Sequence, residues 1–137
     1  MLDSSDPATS LISALSRQRE NPAALGAFKV ILRRYLDDDE TVYLALEGNG
    51  WTWVDPLILV TDRRVLHLQR GVLGFWRRRR EIPAAEVAGA SIRTGLFFGT
   101  VTVSTHRGRR IRMWYDTEGF ARDFVNSLNE LVSGNRR

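Results

Sequence analysis

Four arginines in succession, Arg77 to Arg80, sit inside an alternating segment, and that placement limits what this chain can fold into. The stretch from Thr61 to Pro83, TDRRVLHLQRGVLGFWRRRREIP, reads as a turn at Asp62-Arg63, a strand through Val65 to Gln69, a loop framed by Gly71 and Gly74, and a second strand carrying the run. Successive side chains on a strand point to opposite faces, so alternation sends Arg77 and Arg79 one way and Arg78 and Arg80 the other. Four guanidiniums cannot share a core. Either the strand protrudes as a ribbon, or it lies at a rim where arginine stems cover apolar surface. Charges of this kind on an edge strand also prevent edge-to-edge pairing.

Upstream, Met1 to Thr9 is polar and reads as a disordered tail, 1–9. A helical extension is expected over 10–36. Its first part, Ser10 to Arg19, carries Leu11, Ala14, Leu15 and Gln18 at helical spacing. Asn21-Pro22 then marks a helix start, with Asn as N-cap and Pro at the first helical position. From Ala24 the apolar residues Leu25, Phe28, Ile31, Leu32, Tyr35 and Leu36 recur at three- and four-residue steps, an amphipathic helix. It stops at Asp37-Asp38-Asp39-Glu40. Three carboxylates in a row invite a calcium reading, but the loop lacks the alternating ligands and the turn glycine that such a site requires. It reads as a solvated linker.

At Thr41 the period changes to two. Val42, Leu44 and Leu46 alternate with Tyr43, Ala45 and Glu47 as a half-buried strand. Gly48-Asn49-Gly50 supplies a hairpin turn. The return strand runs through Trp51 and Trp53 and past Pro56, a residue expected at a bend or an edge, into Leu57–Val60. After Pro83 the segments Val87–Arg93, Thr100–Thr105 and Arg109–Tyr115 read as three more strands, the last two joined by a turn at His106-Arg107-Gly108. Asp116 or Thr117 caps a final helix whose stripe is Phe120, Ala121, Phe124, Val125, Leu128, Leu131 and Val132, and Gly134 is expected to end it.

Charge is unevenly spread along the chain. Residues 1–61 carry a net −4, residues 62–112 a net +9 and residues 113–137 a net −1. A segment that basic attracts polyanions or anionic membrane surfaces. Lys29 is the only lysine beside 19 arginines, so genomic base composition is an alternative to selection for a ligand as the source of the arginine usage. There is no cysteine, which removes disulfides, thiolate metal sites and thiol nucleophiles, and favours an intracellular location. No secretory signal is read at the start, and Leu57–Val60 is too short to span a bilayer.

Seven short strands followed by an amphipathic helix is the layout of a pleckstrin-homology-type domain, and the local sequence agrees. Leu59-Val60-Thr61-Asp62-Arg63-Arg64-Val65-Leu66 resembles a hairpin of bacterial PH-like domains of the YokE-like type. Glu81-Ile82-Pro83 with Glu86-Val87 is similar to that family's strand and turn, and Leu96 to Val103 to its glycine-containing strand. The resemblance covers about Leu36 to Val132. It implies a mainly β fold with helices: a seven-stranded antiparallel barrel or orthogonal sandwich, capped by the C-terminal helix, over 37–133. A basic tail, 134–137, follows. The resemblance also implies a binding module for lipids, peptides or proteins, without a ligand motif that carries over residue by residue. The tryptophan common in the closing helix of eukaryotic PH domains has no counterpart between Thr117 and Val132.

The expected function is therefore non-enzymatic. His67 and His106, the only histidines, have no nearby acid or nucleophile at motif spacing. No cofactor and no metal are expected. Arg77, Arg78, Arg79 and Arg80, with Phe75 and Trp76 just before them, suit an anionic membrane surface or a phosphorylated ligand, and Arg107, Arg109 and Arg110 would extend the patch. The alternative is a protein-interaction or self-association module, with Trp51 and Trp53 as contacts. Nucleic-acid binding ranks below both, because no known motif accompanies the arginines. The expected location is the cytoplasm, at the periphery of the membrane or away from it.

Overall fold

The run Leu57-Ile58-Leu59-Val60 has no polar face, because the strand that holds it is covered on both sides. A computed structural model describes residues 6–17, 29–48, 55–71, 75–96, 99–115 and 117–135. In it β1 (Val42–Glu47), β2 (Asp55–Thr61), β3 (Arg64–Arg70) and β4 (Trp76–Pro83) form one antiparallel sheet in that order. Leu57 and Leu59 of β2, with Leu66 and Leu68 of β3, pack against Leu11, Ala14, Leu15, Ile31 and Leu36. Ile58, Val60 and Val65 point the other way, into a second core with Val101, Val103, Ile111 and Phe124. A strand buried on both faces loses its alternation and becomes continuously apolar.

The helices on the outer face are thus part of the fold. The first, α1 (Pro7–Ser16), starts at Pro7, so residues 6–9 leave the expected tail. Asp6 explains this: its Oδ1 accepts from the Thr9 N–H at 2.9 Å, and Pro7 takes the first helical position. The second, α2 (Lys29–Arg34), is the described part of the helix expected before the acidic cluster. The start expected at Asn21-Pro22 lies outside the described residues. On β1 the register shifts between Val42 and Leu44. Val42 therefore faces the helices while Leu44 and Leu46 face the second core, instead of all three sharing one side.

A 3-10 turn, Ala84–Glu86, leads into the second sheet, β5 (Val87–Arg93), β6 (Thr100–Thr105) and β7 (Arg110–Trp114), antiparallel in chain order. The closing helix α3 (Glu118–Asn135) places Ala121, Phe124, Val125 and Leu128 between the sheets and runs one residue past Gly134. Asn129 of α3 binds Ala90 on edge strand β5 twice. Its Oδ1 accepts from the backbone N–H at 2.8 Å, and its Nδ2 donates to the carbonyl at 3.0 Å.

The architecture is the expected mainly β one with a helical cap, as an open two-sheet sandwich. A sealed barrel is not formed: β4 and β5 do not pair, and among the described residues β1 meets the end of β7 through a single bridge, Gly48 to Tyr115. A side chain at Gly48 would overlap the Trp114 carbonyl and Met113, so this corner closes only over glycine. Hydrogen bonding that continued around the corner would have removed the sheet edges, and a single bridge does not.

Candidate functional site

Edge strand β4 carries the arginine run, and all four side chains are exposed. Simple alternation would have put one pair under cover. Two things prevent that. The strand has a neighbour on one side only, and its register with β3 shifts between His67 and Leu68. His67 pairs with Arg80 and Leu68 with Arg78, so Arg79 is the extra residue of a bulge.

The four are not equivalent. Arg78 Nη1 lies 2.9 Å from Glu81 Oε1, and the same oxygen takes Arg64 Nη1 at 3.2 Å. Arg77, Arg79 and Arg80 make no ion pair among the described residues. Phe75, 72% exposed, precedes the strand. Trp76 does not join it: only 7% exposed, it packs in the core under the helices. Its carbonyl accepts from Tyr35 Oη at 3.0 Å, and Arg70 stands 5.9 Å from its ring. The expected apolar pair is therefore one exposed ring and one core ring. Trp51 and Trp53 lie outside the described residues.

Arg107, Arg109 and Arg110 are exposed but stand at the other end of the strands. The turn they occupy is tied to the 3-10 turn through His106 N–H and the Glu86 carbonyl, and Ala84 N–H in turn reaches the Arg63 carbonyl. Arg77 belongs to the opposite end, in line with Gln69, Pro56 and Gly48. The two arginine clusters are not brought together.

Asp37, Asp38 and Asp39 are exposed, as expected of a solvated linker, but Glu40 is not part of it. Glu40 is fully buried and binds Arg64 through both carboxylate oxygens, Nη2 to Oε1 at 2.7 Å and Nε to Oε2 at 3.0 Å. Thr61 Oγ1 also donates to Oε2, and Arg64 Nη2 reaches the Tyr35 carbonyl at 2.6 Å. Arg63 pairs with Asp37 and Asp39. Burial alone would raise the Glu40 pKa; hydrogen bonds from Arg64 and Thr61 outweigh it and hold the carboxyl below its ordinary range. These acids answer arginines on the β2–β3 turn. Among the described residues no group of three or more potential ligands could hold a metal ion.

Behind the run, His67 Nε2 is buried without a hydrogen-bond partner. Burial first, then the positive Arg79 and Arg80, push its pKa down to about 4, so the ring is neutral near pH 7. Arg93, Arg112 and Trp114 are exposed as well, the last two marked in the sequence by the alternation of Arg110, Arg112 and Trp114 against Ile111 and Met113.

The model of one protein family, described as bacterial PH domain, matches residues 36–130, well over half of the chain. No curated protein and no solved structure matches.

Proposed function

Since this chain belongs to the bacterial PH-domain family, a family whose fold suggests a binding role, we propose that it is a non-catalytic module. In this reading it docks on an anionic bilayer surface, or on a phosphate-bearing head group, through β4. The observation that carries the reading is the exposure of Arg77, Arg79 and Arg80 without ion-pair partners among the described residues, beside exposed Phe75. Keeping three guanidiniums unpaired on one edge leaves a cationic strip, and each basic residue near anionic headgroups contributes about 1 kcal/mol. Phe75 adds an apolar tip that can enter the headgroup boundary, the combination that holds peripheral proteins on membranes.

Vesicle flotation tests the reading. The chain is expected to float with vesicles containing anionic lipid and to stay behind with neutral ones. Substituting Arg77, Arg79 and Arg80 by Ser abolishes flotation, whereas Arg107→Ser with Arg109→Ser costs little. Excess free inorganic phosphate separates the two sources: it displaces a protein that holds single phosphate groups and barely affects one that reads the charged surface. Equal partition to neutral and anionic vesicles overturns the reading.

A further inference from the structure

Residues 87–115 contain five arginines and neither aspartate nor glutamate, and they build the whole second sheet. Its register decides what the outer face displays. Val101, Val103, Ile111 and Met113 are buried toward α3, so their strand neighbours point outward. Ser91, Thr102 and Arg112 form one cross-strand row, and Arg93, Thr100 and Trp114 form the next. Ser104 and Arg110 begin a third. Ser91, Arg93, Arg110 and Arg112 are exposed, and Trp114 keeps 40% exposure. Arg93, Arg110 and Arg112 make no ion pair among the described residues. The apolar residues of α3 pack on the inner face, so no described helix covers the outer one.

We propose that this outer face binds single-stranded nucleic acid, its arginines and hydroxyls holding the phosphate backbone and Trp114 offering a ring to a base. Charge complementarity names the class of partner. Arg110 and Arg112 stand on the same strand face about 7 Å apart along β7, and Arg93 lies two strands away. Cations repeated across an open surface match an anion that is itself repeated. Serine and threonine hydroxyls between the arginines donate to phosphate oxygens. The strands of this face carry arginines and hydroxyls outward and no aliphatic side chain; exposed Leu96 stands beyond them, in the β5–β6 loop. A basic surface with an aromatic ring binds single strands with little sequence preference. The inference is independent of the reading of β4.

Fluorescence anisotropy with a labelled mixed-sequence 20-nucleotide DNA, and with its RNA counterpart, tests it on the full chain. Neutralising about three phosphates predicts a log–log salt slope near −2, an affinity loss of about 20-fold between 50 and 200 mM salt. The triple variant Arg93→Ser, Arg110→Ser, Arg112→Ser is expected to bind at least 10-fold more weakly. The β4 triple, Arg77→Ser with Arg79→Ser and Arg80→Ser, is expected to change affinity less than 3-fold. All six side chains are exposed, and an unchanged thermal melt confirms that each variant is folded. Absence of oligonucleotide binding, or equal binding by the Arg93/Arg110/Arg112 variant and the parent, overturns the proposal. So does loss of anionic-vesicle flotation in that variant without any oligonucleotide binding by the parent, which would assign the face to a bilayer.

Discussion

Arg64 and Glu40, 24 residues apart, form a two-armed ion pair beneath the end of α2, with the carboxylate fully buried. Arg64 simultaneously holds the Tyr35 carbonyl and Glu81. One guanidinium thus ties the chain after α2 to strands β3 and β4, which makes the N-terminal helices a layer of the domain. Removing one member of a buried pair leaves the other uncompensated, which costs about 3–5 kcal/mol. Glu40→Leu is expected near the lower end, because Arg64 keeps the Tyr35 carbonyl and Glu81, and Arg64→Met near the upper end, because it strands a fully buried carboxylate. The double variant Glu40→Leu with Arg64→Met should lose less than the sum of the two. Urea unfolding of the four proteins measures the coupling.

Stability should depend on pH in two separate windows. His67 has its pKa lowered to about 4 in the folded chain, against about 6.5 when unfolded. Between those values the unfolded chain holds the extra proton, so stability falls as pH drops from about 6.5 to about 4. The full shift corresponds to about 3 kcal/mol, and screening at the ring's exposed edge reduces that to about half. Glu40 acts at lower pH. Its depressed pKa adds stability above the unfolded carboxyl value, and that stability is lost as pH falls through the folded one. Denaturation midpoints at pH 7, 6 and 5, above the range where carboxylates titrate, should decline for the parent and stay nearly flat for His67→Leu.

Asn129 guards the edge of β5. Asn129→Leu leaves the Ala90 N–H and C=O without their partner, a loss of about 1–3 kcal/mol, and opens a strand edge to other chains. A lower melting temperature together with concentration-dependent light scattering is expected. A side chain at Gly89 would come within 2.9 Å of Asn129 Oδ1, so Gly89→Ala should reproduce part of the effect by pushing the amide away.

Phe75 and Trp76 should separate cleanly on substitution. Trp76→Ala empties a core position and costs about 3–5 kcal/mol. Phe75→Ala, at a side chain 72% exposed, should leave stability within about 0.5 kcal/mol while weakening anionic-vesicle binding several-fold. Thermal melts and flotation on the same two variants give both readouts.

The succession of elements could be read from the chain alone, because local periodicity is a property of neighbouring side chains. Val101 and Val103 against Thr100, Thr102 and Ser104 mark a strand wherever the segment sits, and the stripe from Phe120 to Leu128 marks a helix with one buried face. That the arginine run lies on a strand was legible for the same reason, but that all four side chains are exposed was not. Contacts between distant segments were not. That Glu40 is buried against Arg64, that Trp76 turns inward while Phe75 stays out, and that Arg107 to Arg110 lie away from Arg77 all depend on register and on a bulge at Arg79. One residue of slip reverses the face of every side chain beyond it, and only the packed sheets determine where that slip occurs.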